Sequence, residues 1–292
     1  METLYLKRGE DRRLRAGHLW VFSNEVDVKR SPLTAFAPGQ AVNVADAGER
    51  MLGTAYVNPA SLIAARLVSR KPDTPLDADL LRARLIDALA LRQRLFEHPF
   101  YRLCHSEGDW LPGLVIDRHG DHVVVQISTA GMDILLPALI DILTDLLHPA
   151  SLLLDNDIPS RDLEGLTRGV AAPLGPVPDV VEVEENGLRY AVPLIRGQKT
   201  GWFYDQRDNR AALIPFAAGA SVLDAFCYAG GFGALAVRHG ARSVAFADAS
   251  ATALDFARRN AEAAAPHAEI DCLHGDALDI LADLRRDGRR FD

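Results

Sequence analysis

Short apolar runs, broken by glycine, proline and polar residues, mark the first part of this chain. The runs lie near residues 19–22, 41–44, 52–56 and 62–64. Short strands at such regular spacing are typical of a small β-barrel. The pattern therefore predicts a first domain at residues 1–70, built as a barrel.

The pattern changes after residues 71–75, which we interpret as a linker because two prolines in five residues disfavour both helix and sheet. Apolar residues then repeat at helical spacing over 81–96 and over 135–147. Strands are predicted at 113–117, 122–128, 180–184 and 188–192, the last two as a hairpin about Asn186 and Gly187. These elements predict an α+β middle domain at residues 76–187.

The remaining part of the chain alternates between apolar strands and helices. The predicted strands are 221–226, 243–248 and 269–273, and the predicted helices are 233–239, 251–264 and 277–286. Such alternation is typical of a parallel sheet covered by helices. The predicted fold class is α/β multidomain, with a Rossmann-like third domain at residues 188–292 that is incomplete at three strands.

Residues 221–233, SVLDAFCYAGGFG, combine a strand, a carboxylate (Asp224) and a glycine turn. The next strand also ends in a carboxylate, Asp248. Ligands of parallel sheets bind at the carboxyl ends of the strands, and glycines allow a backbone to approach them closely. An acid after the second strand suits the hydroxyl groups of a ribose. The sequence therefore predicts a cofactor that contains adenosine.

Two cofactor classes fit this turn. Residues 231–236, GFGALA, satisfy the alanine-ending dinucleotide fingerprint, so a nicotinamide-dependent oxidoreductase is one alternative. However, Asp224 would add negative charge near the pyrophosphate that such a site holds at the helix N-terminus. The positive sulfur of S-adenosylmethionine (SAM) would be attracted to it instead. We therefore favour SAM, with a turn-capping role for Asp224 as the structural alternative.

The residues just before this strand and glycine turn resemble those of a known family. Residues 197–210 read GQKTGWFYDQRDNR, and together with residues 221–233 they resemble the bacterial ribosomal large-subunit methyltransferase I family, which makes 5-methylcytosine in 23S rRNA. Only Trp202 and Tyr204 depart from the family's usual residues here. Further matches are residues 13–24, which resemble the start of the family's RNA-binding PUA barrel, and residues 102–117 and 161–166, which resemble its middle domain.

The resemblance implies SAM as cofactor and ribosomal RNA as partner. The candidate cofactor-binding residues are Asp224, Phe226, Tyr228, Gly230, Gly231, Asp248 and Asp276. The residues expected to close the pocket floor or orient RNA are Lys199, Thr200, Phe203, Asp205, Arg207 and Arg210. Two structural alternatives stay open: Asp276 as a helix N-cap, and Asp205 as an ion-pair partner of Arg207 or Arg210.

The distribution of charge bears on RNA binding. The chain carries a net charge of −8, which is atypical of a nucleic-acid binder. Residues 1–30 nevertheless hold seven lysines and arginines against five acids. The candidate phosphate contacts are Lys7, Arg8, Arg12, Arg13 and Arg15. Charge alone favours a solvated face, and the family resemblance favours RNA.

Composition sets broader bounds. The 292 residues are 48% hydrophobic and 25% charged, as in an ordinary globular protein. We expect a cytoplasmic protein, because no run reaches the roughly 20 apolar residues of a membrane span and the N-terminus lacks a secretory signal. Cys104, Cys227 and Cys272 are too widely spaced for a disulfide framework or a metal site, so no metal is expected. The oligomeric state stays open, a homodimer included.

The catalytic nucleophile is not assigned within the chain. Methylation at cytosine C5 needs a cysteine thiolate that adds to the ring, and Cys227 fits a small buried residue better. In the family, the strand and motifs that line the base pocket follow the position of Asp292. We therefore expect the nucleophile beyond Asp292 and the chain itself to be inactive. A non-catalytic RNA-binding protein is the third functional alternative.

Overall fold

The computed structural model describes residues 1–195, 197 and 200–292. Its contacts divide the chain into two compact units, Met1–Val177 and Pro178–Asp292. The division lies before the predicted hairpin. The domain boundary predicted from the sequence, between residues 187 and 188, would instead have separated the two paired strands of that hairpin. Within the described residues, every helix is too short or too polar to span a lipid bilayer.

The N-terminal part of the first unit is a five-stranded sheet in the order β1-β3-β4-β5-β2, with β1 parallel to β3 and all other neighbours antiparallel. Its strands are β1 Thr3–Tyr5, β2 Trp20–Val21, β3 Gln40–Ala45, β4 Met51–Val57 and β5 Ala65–Ser69, and a short helix α1 spans Arg12–Arg15. Two 3₁₀ turns lie at Ser23–Glu25 and Leu33–Ala35. Leucine and valine side chains from every strand share one buried cluster, so the sheet encloses its own core.

One predicted strand of this sheet is wrong. Residues 62–64 form the end of a turn, and β5 begins only at Ala65. The Asn58 carbonyl accepts from the Ser61 amide (3.2 Å), and the Ala64 carbonyl accepts from the Asn58 amide (2.8 Å). These turn bonds leave Leu62 71% exposed. An apolar run is therefore not a strand where local backbone bonds already close a turn.

A second sheet completes the first unit, in the order β10-β9-β8-β7-β6, with β8 parallel to β9. Its strands are β6 Phe100–His105, β7 Leu114–His119, β8 His122–Ile127, β9 Ser151–Asp155 and β10 Val170–Leu174. Three helices accompany it: α2 Ala78–Leu95, α3 Ala130–Asp133 and α4 Leu136–Leu147. Two 3₁₀ turns lie at Ser106–Asp109 and Pro159–Glu164. Both long helices are confirmed, and residues 71–75 form neither helix nor strand. Helix α2 begins where the Asp77 side chain caps the Leu80 amide (3.0 Å).

Buried polar contacts join the barrel sheet to the second sheet within this unit. The side-chain amide of Asn58 donates through Nδ2 to Glu164 Oε2 (2.7 Å), and the Arg66 guanidinium lies 3.4 Å from Glu164 Oε1. The Tyr56 hydroxyl donates to the Pro112 carbonyl (2.8 Å). Arg161, from the same predicted motif as Glu164, donates to the Ile127 carbonyl (2.7 Å). The motif at 161–166 therefore has a structural role.

The second unit contains a hairpin, β11 Val180–Glu185 and β12 Leu188–Pro193, and a parallel sheet in the order β13-β14-β15. The sheet strands are β13 Ser221–Ala225, β14 Ser243–Asp248 and β15 Glu269–His274. The helices are α5 Arg207–Ala217, α6 Gly231–Arg238, α7 Ala251–Ala264 and α8 Ala277–Arg286, and a 3₁₀ turn spans Tyr204–Gln206. The predicted alternation of strand and helix is confirmed, whereas α5 was not predicted.

Candidate functional site

Two buried carboxylates lie at the carboxyl edge of the parallel sheet. Asp224 is next to last in β13, and Asp248 is the last residue of β14, the neighbouring strand. They are 7% and 9% exposed. The structure therefore places both predicted acids at the edge where parallel sheets bind ligands.

Each carboxylate holds part of the turn between β13 and α6. Asp224 Oδ2 accepts from the Gly233 amide (2.9 Å). Asp248 Oδ2 accepts from the Tyr228 amide, and its Oδ1 accepts from the Ser250 amide, both at 2.9 Å. An ionised carboxylate has about four acceptor positions, so these bonds leave capacity for the donors of a ligand.

The turn itself has an unusual backbone. Phe226, Tyr228 and Gly230 have φ values of 57°, 48° and 74°. The left-handed region is costly for aromatic residues and such residues cluster at functional sites. The conformation leaves the Phe226 side chain 70% exposed while Tyr228 is buried.

Two glycines of the turn are required by packing. A Cβ at Gly230 would lie 2.7 Å from the Ala257 Cα atom on α7. A Cβ at Gly233 would lie 2.3 Å from the Phe246 ring on β14. The glycine cluster thus lets α6 approach both β14 and α7 closely, which fixes the turn above the sheet edge.

The surroundings of Asp224 shift the pKa of its carboxyl group. Burial raises the pKa of its carboxyl group to about 7, against the lowering effects of the Gly233 amide and the Arg210 guanidinium. The charge of Asp248 raises that pKa further. A buried acid that is half neutral near pH 7 would ionise fully beside a cation, so this side chain suits a positively charged ligand.

A cleft of about 380 Å³ opens beside the turn, within the size range of small-molecule sites. Phe203 and Tyr228 meet edge to face across it, with ring centroids 5.5 Å apart. The Tyr228 hydroxyl donates to the Gly201 carbonyl (3.0 Å). The lining residues are Trp202, Phe203, Gln206, Arg210, Phe226, Cys227, Tyr228, Gly231 and Phe232.

One wall of the cleft depends on Glu185, which no motif predicted. Its side chain is fully buried, and its Oε1 accepts from Arg210 Nε at 2.6 Å. Its Oε2 accepts from Trp202 Nε1 (3.1 Å) and Arg207 Nε (3.2 Å). The Arg210 guanidinium lies 4.4 Å from the Trp202 ring centroid, a cation–π contact. Both arginines thus pair with Glu185 of the hairpin, while Asp205 is exposed.

The other candidates of this segment are placed as follows. Lys199 lies outside the described residues. Thr200 is buried at 1% exposure, and Phe203 accepts a bond from Arg210 through its carbonyl (2.7 Å). Asp276 caps α8, where its Oδ1 accepts from the Leu278 amide at 2.8 Å. The cap confirms the structural role of Asp276 and leaves its exposed carboxylate accessible.

The five basic candidates of the barrel fall into two groups. Arg13 pairs with Glu25 (3.0 Å) and Arg15 with Asp46 (2.7 Å), so their charges are partly neutralised. Lys7 donates to the Asn24 carbonyl, which leaves its charge unpaired. Arg8 and Arg12 are exposed and have no ion-pair partner in the described part of the chain. Of the five candidates, Lys7, Arg8 and Arg12 are thus the ones whose charge no carboxylate neutralises among the described residues.

The environment of the three cysteines disfavours the thiolate. Burial raises the pKa of Cys104, Cys227 and Cys272, and the carboxylates of Asp224 and Asp248 raise that of Cys227 further. A thiol kept neutral in this way is a poor nucleophile. Among the described residues, no cluster of histidine, cysteine or acidic side chains could hold a metal ion.

Comparison with known proteins assigns a class to two parts of the chain. Residues 4–70 match the family model of a PUA-like domain. Residues 173–282 match that of an S-adenosylmethionine-dependent methyltransferase. Together the fold and the matches define a SAM-dependent methyltransferase with an N-terminal PUA-like domain, which confirms the predicted fold class and cofactor.

Curated relatives narrow this class. The ribosomal RNA large subunit methyltransferase I of Tolumonas auensis is 34% identical over 301 residues, which cover 99% of this chain and 74% of the relative. The protein of the same name from Photobacterium profundum is 35% identical over 296 residues, with the same coverage. The chain belongs to the ribosomal RNA large subunit methyltransferase I family. These matches give no support to the oxidoreductase, to a non-catalytic RNA binder or to the expected inactivity.

Solved structures agree on the fold. A provisionally assigned SAM-dependent methyltransferase from Streptococcus mutans has a TM-score of 0.83 at 22% identity, covering 100% of this chain and 75% of its own. A further methyltransferase structure, complexed with S-adenosylhomocysteine (SAH), has the same TM-score and identity and is covered over 74%. At this identity the likeness extends to the fold alone.

Proposed function

We propose that the protein transfers a methyl group from SAM to carbon 5 of a cytosine in large-subunit ribosomal RNA, in the cytoplasm. The observation that carries the proposal is the family match over 99% of the chain, combined with the two buried acids at the sheet edge. The family match supports the RNA substrate. The resemblance of residues 197–233 supports the choice of cytosine.

The residues of the second unit fit the cofactor. When bound, SAM supplies an electrophilic methyl group on a positively charged sulfur. Asp248 would accept from the ribose hydroxyl groups, and Asp276 would face the adenine. Asp224 and the backbone of Tyr228, Gly230 and Gly231 would face the methionine part.

The protein's own groups have separable tasks in this proposal. Asp224 is buried and has a pKa of about 7, and once ionised it balances the positive charge of the cofactor at the sheet edge. The aromatic side chains of Phe203, Trp202 and Tyr228 give the cleft an apolar wall. Glu185 and Arg210 hold that wall in one geometry.

Carbon 5 of cytosine is a weak nucleophile, so its methylation calls for a thiolate that adds at carbon 6 and later leaves. The target base must also be unstacked to reach a pocket. All three thiols of the chain are held neutral, so for the chain to act one of them would have to lose its proton to a base when the RNA binds.

The function is tested by incubating the chain with tritiated SAM and unmethylated ribosomal RNA. We expect label in large-subunit RNA and none in small-subunit RNA, and 5-methylcytidine as the labelled nucleoside after digestion. Label in another methylated nucleoside would refute the choice of cytosine. An absence of label from protein that binds SAH would refute the transferase function of the chain.

The shifted pKa of Asp224 predicts a pH dependence of cofactor affinity. The carboxyl group of Asp224 has a pKa of about 7, so below that pH it must first lose its proton before it can stabilise a cation. SAM should therefore bind up to about tenfold more tightly at pH 8 than at pH 6. SAH, whose sulfur is neutral, should show a smaller change. Calorimetric titration of both ligands at each pH measures the difference, and Asp224→Asn should abolish it.

The same pKa acts in the opposite sense on the stability of the free protein. The folded state retains a proton that the unfolded chain, with a pKa near 3.8, has released. The free energy of unfolding should therefore fall as the pH rises from about 4 to about 7.

A SAM-to-SAH affinity ratio that is constant with pH would show that the sulfonium does not lie near Asp224.

A further inference from the structure

A second cleft lies in the first unit. It has a volume of about 270 Å³ and is lined by Gly17, His18, Leu19, Trp20 and Glu107. Trp20 lies on β2, an edge strand of the barrel sheet, and is 37% exposed. The cleft therefore presents an accessible indole ring beside a short loop.

The ring is held in one orientation. Trp20 Nε1 donates to Glu107 Oε1 at 2.6 Å, and Phe22 lies edge-on with its centroid 6.4 Å away. Glu107 is itself fixed, because its Oε2 accepts from the Ser106 hydroxyl (2.6 Å) and Arg66 lies 3.5 Å from its Oε1. A pre-oriented aromatic face loses little conformational entropy when a flat ligand stacks on it.

Two arginines border this cleft, Arg66 against the Trp20 ring and Arg70 against the carbonyl of His18. Arg70 donates only to carbonyl oxygens, those of Leu14 (2.7 Å) and His18 (3.2 Å), so no carboxylate in the described part of the chain neutralises it. Arg12, on α1, is exposed and likewise unpaired among the described residues. The Arg66 guanidinium lies 5.5 Å from the Trp20 ring centroid and offsets the charge of Glu107. Cations beside an aromatic platform are the combination that binds single-stranded nucleic acid.

We infer that this cleft binds an unpaired base of a single-stranded RNA segment, stacked on Trp20, with neighbouring phosphates near Arg12 and Arg70. The inference rests on the proposed RNA substrate and adds the site at which the barrel would bind that RNA. Double-stranded RNA does not fit, because its bases are already stacked and its grooves show shape more than base faces.

The test compares two variants that differ in the aromatic face alone. Trp20→Leu and Trp20→Phe both lose the hydrogen bond to Glu107 and both keep an apolar side chain. Binding of the full chain to a fluorescent single-stranded RNA dodecamer is measured by anisotropy at several salt concentrations. Trp20→Leu should weaken binding by about 5- to 150-fold without changing the salt slope, whereas Trp20→Phe should stay close to the unaltered protein.

Arg12→Ala is the electrostatic counterpart and should lower the salt slope by about 1. Equal affinities of Trp20→Leu and Trp20→Phe would overturn the stacking inference and leave RNA binding intact, provided that Arg12→Ala still weakens it. An unaltered protein that binds no RNA at all would overturn both the inference and the proposed substrate. Leu62→Ala, at another exposed apolar side chain of the barrel, should leave binding unchanged.

Discussion

Replacing Glu185 by alanine is expected to lower the free energy of unfolding of the second unit by about 3–5 kcal/mol. The side chain is fully buried and accepts hydrogen bonds from Trp202, Arg207 and Arg210. Its removal would leave the Arg210 guanidinium, only 4% exposed, without a counter-charge. A buried charge that loses its partner keeps the full cost of its lost hydration.

Chemical denaturation of the full chain, followed by tryptophan fluorescence, measures this loss. Glu182→Ala is the matched control, because Glu182 lies on the same strand with a side chain 70% exposed, and we expect a change within about 0.5 kcal/mol. The double variant Glu185→Leu with Arg210→Met should recover much of the loss, since it removes the buried charges together. A loss below about 1 kcal/mol in Glu185→Ala would contradict the structural role given to this carboxylate.

The second large effect concerns cofactor binding. Asp248→Ala is expected to weaken SAH binding by about 100-fold or more, which corresponds to losing two hydrogen bonds to a charged group. The carboxylate holds the Tyr228 and Ser250 amides, so its removal releases the turn as well as the proposed ribose acceptor. Isothermal titration calorimetry measures the affinity directly.

Two controls separate these contributions. Asp248→Asn keeps one acceptor oxygen and should retain part of the affinity. Asp279→Ala changes an exposed acid in the first turn of α8 and should have no effect. An Asp248→Ala variant that binds SAH within about threefold of the unaltered protein, a difference below about 1 kcal/mol, would exclude this acid from the cofactor site.

The placement of Asp224 and Asp248 could be predicted because it depends on local pattern. Each acid ends an apolar run, and parallel strands that are consecutive in the chain pair in register, as Asp224 does with Phe246. The helix that follows each strand then brings the chain back to the same edge. Sequence alone therefore located both acids at this edge of the sheet.

Glu185 was missed because its partners are distant in sequence. Trp202 and Arg210 lie 17 and 25 residues away from it. One local signal was present: Val181, Val183 and Glu185 share the buried face of β11, so the carboxylate falls in the apolar phase of the strand. Helix α5 was missed because its first residues are polar and Pro215 interrupts the helical pattern near its end.

The buried contacts of Asn58 and Tyr56 have a consequence for protein engineering. A barrel excised as residues 1–70 would lose the Glu164 carboxylate and the Pro112 carbonyl that satisfy these two side chains. Both polar groups would then face solvent beside newly uncovered apolar surface. The transplantable unit is therefore Met1–Val177, and chimeras that exchange only the barrel would have to supply substitutes for both acceptors.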